Sequence, residues 1–332
     1  MFVILGGFGM DLLSVIIPSF NEEENIQNTA QVVASVLREN GIRYEILFVD
    51  DGSRDATYAR MCAAAQADPQ VRGIRLSRNF GKEGCIFAGL NEARGNCCVV
   101  IDCDLQHPPQ VIPQMYRLWQ QGYDIVEGVK SSRGKESAFY RMSAGLFYKL
   151  MSKFTKVDLN ATSDFKLLDR KVVNVLTSLP ERNTFFRALT FWAGFRSTQV
   201  EFDVQERAHG ESKWSLLGLI RYAVRNVTSF TTVPLQLVTG LGIACLAAFI
   251  VVGLQTFIRF CMGRSAEGFT TVILLLLFIG GAIMVSLGII GHYIARIFDE
   301  VKGRPKYIIS ECTPGKEAPA EDAEPAGGSP ER

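Results

Sequence analysis

Cys98-Val99-Val100-Ile101-Asp102-Cys103-Asp104-Leu105-Gln106 is an apolar run that stops abruptly in two carboxylates and a carboxamide. Consecutive apolar residues without alternation read as a strand buried on both faces, as in a parallel sheet. The same pattern recurs on either side. Short apolar runs at 14–18, 44–49, 71–76 and 124–127 join 98–101, and helical periodicity fills 22–40, 56–66, 82–93 and 109–121 between them. Strands alternating with helices predict an α/β domain with a doubly wound, mostly parallel sheet, which binds its ligands beyond the carboxyl ends of the strands.

That rule places the acidic residues where a ligand would lie. Asp102 and Asp104 leave one strand end, with Gln106 two residues on, and Asp50 and Asp51 leave another before Gly52-Ser53. An isolated Asp-x-Asp is as readily a solvated acidic turn. Two neighbouring strands that bring carboxylates to one sheet edge make them repel, and a bound cation or a set of hydroxyl donors relieves that. Magnesium takes one or two carboxylates plus substrate phosphates, so the pattern suits a reaction with a diphosphate leaving group.

The composition narrows the partners. Net charge is +1 over 332 residues, which excludes a broad basic field for nucleic acid. The eight cysteines form no Cys-x-x-Cys pair and read as reduced, mostly buried thiols of a cytosol-facing domain. Residues 1–10 are apolar but lack a basic flank and a small-residue cleavage site, so they read as an extension rather than a signal peptide.

The apolar excess lies late in the chain. Residues 233–258 and 268–295 contain no Asp, Glu, Lys or Arg, and each exceeds the roughly 20 residues that cross a bilayer as a helix. With only 259–267 between them they predict a transmembrane hairpin. Basic residues crowd its outer ends (Arg221, Arg225, Arg296, Lys302, Arg304, Lys306) and the connecting loop holds Arg259 and Arg264. The positive-inside rule then predicts a multi-pass protein of the plasma membrane with both termini and the α/β domain in the cytoplasm. Segments 138–155 and 213–227 are amphipathic; the first suits a core-packed helix or an interfacial one equally, and the second favours the interface. The expected division is an extension at 1–12, a catalytic domain at 13–212, an interfacial helix at 213–230, the hairpin at 231–298 and a tail at 299–332, disordered after about 312.

Three stretches together carry a family resemblance: Ser14-Val-Ile-Ile-Pro-Ser-Phe-Asn-Glu-Glu-Glu24, Val49-Asp-Asp-Gly-Ser-Arg-Asp55 and Asp102-Cys-Asp-Leu-Gln-His-Pro-Pro109. They resemble the family 2 inverting glycosyltransferases of GT-A-like fold, and within them the polyprenyl-phosphate group that includes dolichol-phosphate mannose synthase and bactoprenol glucosyltransferases. Arg78-Asn-Phe-Gly-Lys82, Ser163-Asp-Phe-Lys-Leu-Leu-Asp169 and Arg207-Ala-His-Gly-Glu-Ser-Lys-Trp214 extend the resemblance over nearly the whole chain. It implies a nucleotide-sugar donor, a polyprenyl-phosphate acceptor in the membrane, and a Mg2+ or Mn2+ cofactor. Pro18, Phe20, Glu22 and Asp50, with Asp51 nearby, would line the nucleoside pocket, and Lys82 would join the substrate-binding set. Asp102, Asp104 and Gln106 would hold the metal, and Arg207 and Lys213 would approach the donor phosphates. Relatives commonly carry Gly-x-Arg where this chain has Gly128-Val129-Lys130, so the charge is kept but the bidentate fork is lost. Lys130, Arg133 and Arg141 stand near the first amphipathic segment, where an acceptor phosphate would emerge, and Asp164 is the candidate carboxylate at the reacting centre.

Two other readings compete. A processive polysaccharide synthase would carry Gln-x-x-Arg-Trp and more membrane helices, and this chain has neither. A membrane-anchored nucleotide-sugar-binding scaffold or flippase-associated subunit without turnover would not need repelling carboxylates kept together. His107, His209 and His292 read as structural. Gly240, Gly242, Gly280 and Gly281 would allow a homo-oligomer through close helix contact, although such glycines are also ordinary membrane-helix composition.

Overall fold

The computed structural model describes residues 11–130, 163–181, 184–203, 233–262 and 268–313. The expected elements form close to their sequence positions. Strands β1 (Leu12–Ser19), β2 (Arg43–Asp50), β3 (Val71–Leu76), β4 (Cys97–Val100) and β5 (Ile125–Lys130) alternate with helices α1 (Ile26–Glu39), α2 (Thr57–Ala67), α3 (Lys82–Glu92) and α4 (Ile112–Gln120). A single 3-10 turn, Pro109–Val111, leads into α4 where two prolines break the chain after the acidic stretch.

The sheet has eight strands in the order β7-β5-β6-β4-β1-β2-β3-β8. Three of these strands were not anticipated: β6 (Lys166–Asp169), β7 (Ser197–Phe202) and β8 (Ile309–Cys312). β6 runs antiparallel between β4 and β5, and β8 runs antiparallel along β3, so the sheet is mixed with six strands parallel to one another. The antiparallel insertion of β6 matters for function. Its first residues lie at the edge where β4 ends, which brings Asp164 beside Asp102.

The strands lack alternation because both faces are covered. Leu13, Val15 and Ile17 of β1 pack with Val33, Leu37 and Met115 on one side. Ile16 joins Ile86, Phe87 and Leu90 of α3 on the other, with Val172 and Leu176 of α5 (Arg170–Ser178) and Phe186 and Leu189 of α6 (Phe186–Trp192). The close approach of α3 to β1 requires Gly89, whose added Cβ would stand 2.3 Å from Ile16 Cγ2. One charged pair crosses this interior: Lys166 Nζ lies 3.0 Å from Glu127 Oε1, and the two residues are register partners across β5 and β6.

Two long helices follow, α7 (Val233–Cys261) and α8 (Phe269–Val301), which contact each other. Among the described residues one segment, Phe278–Val301, is long and apolar enough to cross a membrane, and Val238–Val252 is apolar but shorter. The expected pair of spans is therefore met by one candidate there. Among the described residues nothing lies within 4 Å of a Cβ built on Gly240, Gly242, Gly280 or Gly281. After α8 the chain returns to the α/β domain and adds β8, within the first part of the expected tail, to its sheet. The amphipathic segments 138–155 and 213–227, the extension at 1–10 and the tail beyond 313 lie outside the described residues.

Gly89→Ala tests the packing of α3. Alanine gains about 1 kcal/mol in helix propensity over glycine, but overpacking a fully buried isoleucine costs about 1–3 kcal/mol, so a net loss of stability is expected. An unchanged urea midpoint would contradict the tight contact.

Candidate active site

The loops after β1 and β2 are stitched together at the carboxyl edge of the sheet. Asn21 takes a left-handed conformation (φ 55°), its N–H donates to Ser53 Oγ at 2.9 Å, and its side-chain oxygen accepts from Arg54 N–H at 3.1 Å. Gly52 (φ 67°) passes so near the next loop that a Cβ would stand 2.8 Å from the Arg78 carbonyl carbon, which only glycine permits. Pro18 is half-buried and Phe20 is 38% exposed beside this junction. Glu22 holds Asn25 through a 2.6 Å bond from Asn25 Nδ2.

The adjacent aspartates divide the work. Asp50 is fully buried, and its Oδ1 accepts from Ser53 N–H at 2.9 Å. Its Oδ2 lies 3.3 Å from Arg75 Nε but has no aligned hydrogen bond, leaving an acceptor to be satisfied. Asp51 accepts from Phe80 N–H (2.6 Å) and Gly81 N–H (2.9 Å), while burial raises its pKa. It therefore anchors the loop that delivers Lys82 at the start of α3. Arg75 was not anticipated: besides Asp50 it pairs with Glu311 of β8 at 3.2 Å and donates to Ser53 O at 3.0 Å.

Beyond β4 the turn is held from several sides. Cys103 O accepts from Thr29 Oγ1 at 2.7 Å, and Asp104 Oδ1 accepts from Gln106 N–H at 3.1 Å across Leu105, whose φ is 57°. A leucine in the left-handed region is strained, and such strain clusters where function over-determines the backbone. His107 is buried and stacked on Phe165 at 5.1 Å, and Asp102 N–H approaches its Nδ1 at 3.4 Å, so it serves the turn as expected.

Lys82 is the centre of the site. Its Nζ lies 2.6 Å from Asp102 Oδ1 and 2.8 Å from Asp164 Oδ2. Asp164 is gripped from the other side by Arg187 of α6, whose Nε and Nη2 donate to Oδ1 and Oδ2 at 2.6 and 2.9 Å. Burial alone would raise the Asp164 pKa, but Lys82 and Arg187 hold it well below the usual carboxylate range. Asp102 is likewise lowered by Lys82 against the pull of burial, and the two carboxylates raise Lys82. Neighbouring Glu83 behaves in the opposite way. It accepts from Phe186 N–H at 2.9 Å, and burial, with Asp164 nearby, pushes it up to about 7. Sequence reasoning missed Glu83 and Arg187, which lie in no acidic or basic motif and acquire their roles only through the packing of α6 on α3.

Lys130 ends β5 at this same edge, in register with Phe202. Arg133, Arg141, Arg207 and Lys213 lie outside the described residues. Among the described residues no group of three or more His, Cys, Asp or Glu side chains is placed to hold a metal. Two carboxylates from one turn nonetheless fit a hard cation that draws its remaining ligands from a diphosphate. The four described buried thiols, Cys85, Cys97, Cys98 and Cys103, are unpaired and raised by burial, as inert structural thiols should be.

Residues 14–177 match the family described as Glycosyl transferase family 2. The chain is 38% identical over 301 residues to an uncharacterized glycosyltransferase of Synechocystis sp., covering 90% of this chain and 95% of the relative. It is also 38% identical over 306 residues to the bactoprenol glucosyl transferase of Shigella phage SfII, covering 91% and 99%. A crystal structure of glucosyl-3-phosphoglycerate synthase from Mycobacterium tuberculosis with Mn2+, uridine-diphosphate and phosphoglyceric acid aligns over 66% of this chain and 78% of its own, with a TM-score of 0.49 and 24% identity. The chain belongs to the family 2 glycosyltransferases.

Glu83 gives a pH prediction. Its folded pKa of about 7 exceeds the ordinary 4.5, so the folded state binds more protons between those values and stability falls as pH rises through that window. Glu83→Gln should flatten this part of the profile, measured by urea unfolding at a series of pH values. A profile identical to that of the unsubstituted protein would refute the buried, proton-binding carboxyl.

Proposed function

We propose that this chain transfers a sugar, with glucose from UDP-glucose as the first expectation, to polyprenyl phosphate such as undecaprenyl phosphate at the cytoplasmic face of the plasma membrane. The observation that carries the reading is the convergence of Lys82, Asp102, Asp164 and Arg187 beside the buried, half-satisfied Asp50. The relatives named bactoprenol glucosyl transferase supply the acceptor class. The apolar length of α8 supports a membrane helix, with α7 as the second arm of a hairpin in this reading, and the return of the chain to the sheet as β8 fits both outer ends lying on the side of the catalytic domain.

In this reading Asp50 accepts from the nucleoside, with Pro18, Phe20 and Glu22 around it and Asp51 fixing the neighbouring loop. Asp102, Asp104 and Gln106 would hold Mg2+ or Mn2+, which when bound neutralises charge on the leaving diphosphate. Arg207 and Lys213 serve the donor phosphates, while Lys130, Arg133 and Arg141 receive the acceptor phosphate. An acceptor phosphate oxygen is already anionic near neutral pH. It attacks the anomeric carbon, the bond from that carbon to the nucleoside diphosphate breaks with its electron pair, and the configuration inverts. No proton need be removed. Asp164 suits that scheme: a carboxylate held far below its ordinary pKa is a poor base, and its work is to keep Lys82 and Arg187 facing the reacting centre.

The test is transfer of label from a panel of nucleotide sugars to undecaprenyl phosphate in membranes, with and without EDTA. Label entering the lipid fraction from one donor, and lost on chelation, is expected. Asp104→Ala should abolish transfer while the protein stays folded and membrane-bound; normal turnover would overturn the metal assignment. Lys82→Gln should lower kcat by about 10²–10³, the usual loss on removing one preorganised electrostatic partner. Nucleotide binding without turnover from any donor would favour the scaffold reading instead.

A further inference from the structure

A second concave site lies where the chain leaves α8. It encloses 570 Å3 between Phe87 and Asn91 of α3, Thr177 of α5, Leu179 and Pro180, and the connection 303–307. Gly303 makes the site possible. At φ 60° it ends α8 with a left-handed turn, its N–H reaching Glu300 O at 3.3 Å, and sends the chain back over α3.

The connection brings two cations into the walls. Lys306 Nζ donates to Leu179 O at 2.6 Å and sits 5.1 Å from the Phe87 ring centre. Burial lowers its pKa, and Glu181 and Glu300 act against that shift. Arg304 is exposed and makes no salt bridge among the described residues. Glu181 and Glu300 both act on Lys306, which leaves Arg304 as the exposed cation of the lining, set among the apolar surfaces of Phe87, Leu179 and Pro180. Directly before the connection, α8 exposes Ile294, Ile297, Phe298 and Val301.

We propose that this cavity binds the phosphodiester headgroup of an anionic membrane lipid, with Arg304 and Lys306 on the phosphate and an acyl chain along the apolar end of α8. The proposal rests on the reading of α8 as a membrane helix, whose cytoplasmic end then lies at headgroup depth. A phosphodiester carries a single negative charge, which the exposed Arg304 guanidinium can meet. Glu300 can accept from a headgroup hydroxyl, which suits a glycerol headgroup better than a choline one. The site also adjoins the chemistry: α3 begins at Lys82, and Phe87 and Asn91 are on later turns of the same helix. A lipid bound here would brace the helix that carries Lys82.

The experiment is binding of short-chain phosphatidylglycerol and phosphatidylcholine to the delipidated full chain in detergent, by native mass spectrometry, with no sugar donor present. Phosphatidylglycerol should bind more tightly, and Arg304→Gln should weaken it about fivefold, in keeping with the worth of one basic residue at a lipid surface. Lys306→Gln added to it should abolish the preference. Arg304 is exposed, so its single variant tests the idea even if the double variant fails to fold. Equal retention of both lipids, or retention unchanged by Arg304→Gln, overturns the site. So does full displacement by inorganic phosphate, which would mark it as a general anion site. Membrane fractionation run alongside separates the outcomes: a soluble chain overturns the anchoring reading, whereas a membrane-bound chain without lipid selectivity overturns the headgroup site alone.

Discussion

The Lys82 ammonium, set between Asp102 and Asp164, is the interaction on which the rest of the catalytic edge depends. Two carboxylates at the ends of adjacent strands would drive each other toward protonation; a cation between them keeps both ionised. Removing one member of such a set leaves an uncompensated charge, which costs far more than the net worth of the pairs. The surrounding structure is arranged to hold that ammonium in place. Asp51 fixes the loop before it, Gly52 lets that loop come close, and Arg187 occupies the far side of Asp164. The same arrangement can change partners, because Lys82 is exposed enough to turn toward a group arriving from solvent.

Much of this was legible in the sequence, for physical reasons. β1 to β5 are doubly covered strands, so their apolar runs stand out without alternation, and the aspartates at their ends follow from the parallel topology. β6 was hidden because Lys166 interrupts its apolar run, and the pairing with Glu127 across the strands, with a bond to Thr190 Oγ1, allows that lysine to be buried. β7 is half-covered and β8 pairs with residues more than 230 positions earlier, so neither has a local signature. The site divides in the same way. Asp50, Asp102 and Asp104 sit at strand ends, whereas Glu83, Arg75 and Arg187 are ordinary helix or strand residues until the fold assembles them.

Two environments within one cluster push carboxylates in opposite directions. Asp164 bonds Lys82 and Arg187 directly and stays ionised; at Glu83 burial and the negative Asp164 outweigh a backbone donor and the same two cations, and its pKa is raised. The contrast shows how one small polar cluster can hold both a fixed charge and a group that titrates near neutrality.

β8 also fixes an order of events. Its partner β3 is made early, but β8 follows α7 and α8, so during synthesis the β3 edge stays open until both long helices have emerged. An open edge is a template for unwanted pairing, and closing it with the chain's own last strand removes that hazard. Because Glu311 arrives with β8 and meets Arg75 beside Asp50, the surroundings of that buried carboxylate are completed only at that moment. Maturation of this sheet edge is thereby timed to follow the helices, and a chain arrested before them would carry it unfinished.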